Sequence, residues 1–201
     1  VPERAAVFAG KYHVPAYTDY RTMLEREQVD VVNILTPSGM HPAHAIDIMR
    51  TFRKHVVIEK PMALRLADID RLRRAAAEAG VTIFPVYQVR YNRAVEKVRQ
   101  ALDDGELGEV VLASVRVRWC RTQEYYDDAP WRGTWAQDGG AMANQGIHYL
   151  ANSGTADILG RSQLAHRPRS APHIAQHVEL LDGNVEISRG GGTDVRTHKV
   201  P

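Results

Sequence analysis

The chain reads as an α/β protein, an incomplete doubly wound parallel sheet followed by part of an α+β domain with an antiparallel sheet. Three observations predict this. Two apolar, β-branched runs, VDVVNIL (29–35) and HVVIEKP (55–61), flank a helical pattern, as parallel strands joined by a crossover helix do. A third run, VTIFPVYQV (81–89), follows a second helical stretch. From about Gly108 the pattern changes: in EVVLASVRVRWC, Val115, Val117 and Trp119 alternate with Arg116 and Arg118, the period of a half-exposed antiparallel strand.

Taken in order, Pro2 to Tyr12 predicts a short helix, and VPAYTDY a brief strand leading into the helix YRTMLEREQ. VDVVNIL, bounded by Asp30 and by Thr36, Pro37, Ser38 and Gly39, suits a strand covered on both faces. Pro42 fits a first helical position, and Ala43, Ala45, Ile46, Ile48 and Met49 supply that helix's core face. HVVIEKP is the next parallel strand. LADIDRLRRAAAEAG is amphipathic, with Leu66, Ile69, Leu72 and Ala76 on one face and Gly80 as its stop. After VTIFPVYQV, NRAVEKVRQALDDGELG gives a helix ending near Gly105. The expected domains are 1–90, 91–150 and a divergent tail, 151–201. In that tail ANSGTADILGRSQLAHRPRSAPHIAQ shows poor periodicity, VELLDGNVEI fits a hairpin around Asp182 and Gly183, and GGGTDVRTHKVP is expected to be disordered.

Composition bounds the rest. With 201 residues, 44% of them apolar, the chain is long enough for a substantial core. No apolar run reaches membrane-spanning length and the amino terminus lacks a signal-peptide pattern, so a cytoplasmic location is expected. Cys120 is the sole cysteine, which excludes an internal disulfide. The 26 basic and 24 acidic residues alternate to a net charge of +2, which argues against a nucleic-acid partner.

Ligands of open α/β sheets bind outside the carboxyl ends of the strands, here Asn33 to His41 and Glu59 to Pro61. His41 and His44 flank Pro42 at a metal-like spacing, but no third ligand is near and no metal is expected.

VDVVNILTPSGMHPAHA, HVVIEKPMAL and PWRGTWAQDGGAMANQGIHYL, in that order, resemble the glucose-fructose oxidoreductase, inositol dehydrogenase and MocA (Gfo/Idh/MocA) family of nucleotide-dependent sugar dehydrogenases, over roughly three quarters of the chain. Within it, YYDDAPWRGTW and GGAMANQGIH look most like enzymes that oxidise the 3-hydroxyl of UDP-N-acetylglucosamine-type sugars, particularly the uronic acid. The resemblance implies a Rossmann-like fold, NAD or NADP as cofactor, a sugar or sugar-nucleotide substrate, and a homo-oligomer formed through the second-domain sheet. It implies Lys60 and His148 as catalytic residues with Asn144 orienting; Asn33, Thr36, Pro37, Ser38, His41, Glu59 and Lys60 at the cofactor; and Trp131, Arg132 and Gln145 at the substrate. The chemistry itself needs a group that removes a hydroxyl proton and a donor that steadies the developing oxygen charge, and lysine and histidine fit both. Partial burial at a strand end would lower the Lys60 pKa. Gly139 and Gly140 are expected to open a helix that carries Asn144 and His148, four apart, on one face. The chain departs from the family pattern at Asn144, where Asp is common, and at Ala151, where an Asp usually follows the histidine by three. Arg116, Arg118, Arg121, Arg132, Trp131 and Trp135 fit either a diphosphate and base site or a solvated sheet face.

No GxGxxG occurs. The chain therefore reads as starting after the second strand of such a domain, lacking roughly 30 or more residues of a βαβ opening. On that reading it should self-associate and bind no NAD at micromolar concentration. The alternative function is a catalytically silent binding or scaffold protein.

Overall fold

The chain's central strand is β2 (His55–Ile58), which pairs in parallel with β1 (Val31–Ile34) on one side and β3 (Ile83–Pro85) on the other, in the order β1-β2-β3. The computed structural model describes residues 2–108, 112–115, 118–152, 176–181, 184–189 and 195–198. It divides into two units: Val1–Thr36 with Met40–Pro85, and Pro37–Gly39 with Val86–Pro201.

In the first unit α1 (Pro2–Tyr12) and α2 (Tyr20–Arg26) precede β1. Asp19 caps α2, its carboxylate accepting the Thr22 N–H at 2.9 Å. Helix α3 (His41–Asp47) crosses from β1 to β2 with Pro42 in its first turn, and continues as a π-helical turn, Ile48–Phe52. Helix α4 (Leu66–Ala79) crosses from β2 to β3 and stops at Gly80, which adopts φ 68°. The core joins Val32, Ile34, Val56 and Ile58 of the sheet to Leu24, Ala45, Ile46, Ile48, Met49, Leu72, Ala75 and Ala79 of the helices. Each large apolar side chain so buried contributes about 1.5–3 kcal/mol.

Five expectations for this unit are corrected. Ala43, expected on the core face of α3, is exposed. VPAYT is not a strand: strand geometry needs a partner ladder, and β1 pairs only with β2 among the described residues. β1 is covered on one face only, Val32 and Ile34 buried and Val31 and Asn33 exposed, because the core helices pack on a single side. Leu35 lies beyond the strand and is exposed. Leu66 is also exposed, since the buried stripe of α4 runs through Leu72, Ala75 and Ala79, three and four apart.

In the second unit a 3-10 turn (Gln88–Tyr91) leads to α5 (Arg93–Asp103), and Leu107 packs against its Ala94, Val98, Ala101 and Leu102. β4 (Leu112–Val115) follows, then α6 (Gln123–Asp127), a π-helical turn (Met142–Gly146) and α7 (Ile147–Asn152). A second sheet takes the order β4-β5-β6-β7, where β5 is Gln176–Leu181, β6 Asn184–Arg189 and β7 Val195–His198. β4 runs parallel to β5, so this sheet is mixed rather than antiparallel. The reason is connectivity: parallel neighbours need a long crossover, and the segment between them carries α6 and α7. β5 and β6 form the expected hairpin, with Leu181 opposite Asn184. Val195–His198, expected to be disordered, form β7 instead. The alternation at residues 116–117 and the segment 153–175 lie outside the described residues. No helix among the described residues is long and apolar enough to cross a membrane.

Candidate active site

Lys60 follows the carboxyl end of β2, the central strand of the parallel sheet, where such sheets present ligand sites. Its position is set by backbone bonds. The Glu59 N–H donates to the Ile34 carbonyl at 3.1 Å, and the Glu59 carboxylate accepts the Lys60 N–H at 2.5 Å. The Lys60–Pro61 peptide is cis. Thr36 and Asn33, at the matching end of β1, are exposed, whereas Lys60 and Glu59 are half-buried.

His41, the first residue of α3, is only 1% exposed. Its Nδ1 lies 2.9 Å from the Pro61 carbonyl oxygen and its Nε2 2.7 Å from that of Thr36. The ring thus ties the loop after β1 to the loop after β2, donating to one carbonyl in either neutral tautomer and to both when protonated. His44, one turn on, places Nδ1 3.2 Å from Thr36 Oγ1 and meets the Tyr20 ring edge-on. Burial lowers the His44 pKa from its ordinary value, His41 nearby adds to this, and Asp47 opposes it. Pro37 and Ser38 group with the second unit, in which Ser38 is buried and Gly39 donates to the Gln137 carbonyl at 3.1 Å.

The second unit carries the remaining candidates. Its pivot is Asp138, which sequence reasoning missed because an acid before two glycines reads as turn chemistry. Asp138 is buried, its Oδ2 accepting the Gly133 N–H at 2.8 Å and its Oδ1 accepting from Asn144 Nδ2. A carboxylate only accepts, so Asn144 must turn its NH2 towards Asp138; its carbonyl oxygen is then left towards Gln145 Nε2, 3.5 Å away. Gly139 and Gly140 both have positive φ, and a Cβ on Gly140 would lie 3.0 Å from Trp135 Cζ3, so glycine is required at Gly140. The helix does begin there, but the π-helical turn carries Asn144, so the four-residue spacing to His148 spans a change from π to α geometry. Both side chains are buried.

Asn144 borders a cleft with about 500 Å³ of space, part of it open to solvent, lined also by Tyr125, Tyr126, Asp138 and Gln145 among others. The substrate candidates gather around Tyr125. Arg132 Cζ lies 4.4 Å from its ring centroid and 5.8 Å from that of Trp131, while Gln145 Nε2 donates to its hydroxyl at 3.4 Å. Among the described residues no group of three His, Cys, Asp or Glu side chains is placed to hold a metal.

Residues 1–87 match the oxidoreductase family with an NAD-binding Rossmann fold, and residues 95–152 match the GFO/IDH/MocA C-terminal domain. The dTDP-3,4-didehydro-2,6-dideoxy-alpha-D-glucose 3-reductase of Streptomyces violaceoruber is 31% identical over 94% of this chain and 53% of its own. The myo-inositol 2-dehydrogenase of Thermotoga maritima is 32% identical over 47% of this chain and 28% of its own. Among solved structures, the WlbA dehydrogenase of Bordetella pertussis in complex with NADH and UDP-GlcNAcA is 38% identical, with TM-score 0.69 over 75% of this chain and 43% of its own. The WlbA enzyme of Chromobacterium violaceum, with the same two ligands, is 28% identical, with TM-score 0.70 over 94% of this chain and 53% of its own. The chain spans about half the length, or less, of the curated relatives it matches. The two matched regions, with the parallel sheet and the order of its motifs, place this chain in the Gfo/Idh/MocA family of NAD-binding oxidoreductases.

Proposed function

We propose that the protein is an NAD(P)-dependent dehydrogenase that removes a hydride from a secondary hydroxyl of a sugar nucleotide, the 3-hydroxyl of a UDP-N-acetylhexosamine or its uronate. One observation carries the reading: Lys60 follows the carboxyl end of the central parallel strand, its backbone pinned by Glu59. The exposed Thr36 and half-buried Glu59 and Lys60 at the same sheet end suit the nicotinamide end of the cofactor, which when bound supplies the hydride acceptor. Asn33, Pro37, Ser38 and His41 complete the proposed cofactor side.

On this reading His148 accepts the hydroxyl proton, and the Lys60 ammonium donates a hydrogen bond to the oxygen as charge develops on it. Asn144, its amide oriented by Asp138, presents its carbonyl oxygen to a substrate hydroxyl. Trp131, Arg132 and Gln145 line the sugar-nucleotide side. The two WlbA neighbours, crystallised with NADH and UDP-GlcNAcA, support the substrate class. We further place the protein in the cytoplasm, as a homo-oligomer formed through the β4–β7 sheet, which size-exclusion chromatography with light scattering tests.

The test of function is Lys60→Met. NAD(P) reduction with UDP-N-acetylhexosamine substrates should fall on the order of a hundredfold or more while the circular dichroism spectrum is unchanged. Turnover at the parent rate would remove Lys60 from the chemistry. A parent that neither binds NAD(P) nor turns over would favour a silent binding module.

A further inference from the structure

Two guanidinium groups converge on Tyr125. Arg132 Cζ lies 4.4 Å from the ring centroid and Arg121 Cζ 5.0 Å, and Arg121 is also covered by Trp119 at 4.2 Å. Two like charges on one ring repel unless each is balanced. Arg132 is balanced in charge, its Nη1 lying 2.7 Å from the Asp128 carboxylate and donating to the Tyr125 carbonyl at 2.9 Å, although its Nε too is buried without a partner among the described residues. Arg121 has no such partner among the described residues. Its Nη2 makes only a long 3.4 Å bond to Gln145 Oε1, and its buried Nε faces no acceptor. The acid that lines the cleft, Asp138, has one oxygen engaged by Gly133 and the other by Asn144.

A guanidinium half withdrawn from water, stacked on two rings, with donors unused, is unfavourable alone and suited to an oxyanion through paired N–H bonds. Gln145, the residue Arg121 touches, lines the cleft together with Tyr125 and Asn144.

We propose that Arg121 is an anion-reading residue of this cleft, taking carboxylate or phosphate oxygens of the ligand, so that the site selects a charged sugar derivative over a neutral one. This deepens the sugar-nucleotide reading above and rests on it. A carboxylate source means that Arg121 tells a uronate from the neutral hexosamine; a phosphate source means that it reads the nucleotide half.

The experiment is binding, followed by calorimetry and by the fluorescence of tryptophan, since Trp119 stacks on Arg121. The protein is titrated at low salt with inorganic pyrophosphate, D-glucuronate, N-acetylglucosamine, UDP-N-acetylglucosamine and its uronate. The anions are expected to bind and to weaken with added salt, and N-acetylglucosamine is not. With a carboxylate source, the uronate nucleotide binds on the order of tenfold tighter than the neutral one, and glucuronate competes. With a phosphate source, the two nucleotides bind alike and pyrophosphate competes.

Arg121→Met should weaken the favoured anion by on the order of tenfold or more. Arg121→Lys keeps the charge but not the fork and should restore part of the loss. Circular dichroism checks both folds; if the methionine variant is unfolded, the lysine variant decides. Unchanged affinity for every anion in the folded variant overturns the proposal, as does a parent that binds N-acetylglucosamine as tightly as the anions, or binds no anion. Hydride transfer plays no part in this readout. A protein that binds anions through Arg121 yet reduces no NAD(P) would sink the dehydrogenase reading alone.

Discussion

Asp138 and Asn144 form a pair in which one side chain can only accept and the other must therefore donate. Asn144→Asp, which installs the residue common in the family pattern, would bring two carboxylates into contact at a buried position. One would have to retain a proton, so the pair's folded-state proton affinity would exceed its unfolded value. The stability penalty should be largest near neutral pH, about 1–3 kcal/mol, and shrink as pH falls towards ordinary carboxylate values. Urea unfolding of parent and variant at several pH values measures it; a variant equally stable at all of them would mean that the Asn144 amide holds nothing. His44 gives the opposite dependence. Its pKa is lowered by burial and by His41, so the folded state binds protons less readily than the unfolded one. Its contribution is therefore present above the ordinary histidine value of about 6.5 and lost as pH falls through the lower folded value. Thermal melts from pH 7.5 downward should show a loss of stability that His44→Gln reduces.

Helix α4 ends where Gly80 enters the left-handed region at φ 68°. A Cβ there would find only the Arg53 Nη2, 3.9 Å away, so Gly80→Ala isolates the backbone cost, about 1 kcal/mol in chemical unfolding. An unchanged midpoint would show that the helix end relaxes freely. This stop was legible in the sequence, as were α1, α4, α5 and the parallel pairing of β1 with β2, because apolar period and Gly or Pro punctuation are local signals. VPAYT was misread for a related reason: a local reading says that a segment could be a strand, not that a neighbour exists to bond it. The parallel union of β4 and β5 was hidden by a partner about sixty residues further on. Of the candidate residues, Lys60 in the first unit and Asn144 and His148 in the second stood out through motif order, whereas the clamp made by His41 and the anchoring by Asp138 depend on backbone groups brought close only by folding. The π-helical turn at Met142–Gly146 has no signature in its sequence, MANQG.

Among the described residues the parallel sheet ends on β1, where Val31 and Leu35 are exposed. Such an edge is a template for a second strand. The protein is expected to self-associate with rising concentration in light scattering, and Val31→Lys with Leu35→Lys to suppress it. A parent that keeps one mass across the range would exclude the edge as the cause. The backbone bonds also say which groups are exposed. The Asp30 and Ile34 carbonyls face β2, accepting from His55 and Glu59, and alternate residues of a parallel strand point opposite ways. Val31 and Asn33 therefore direct their amides outwards. In heavy water those two hydrogens should be replaced within the dead time of a short labelling pulse, while those of Val32 and Ile34 persist, and any slowing at Val31 and Asn33 on concentration would report the edge being covered.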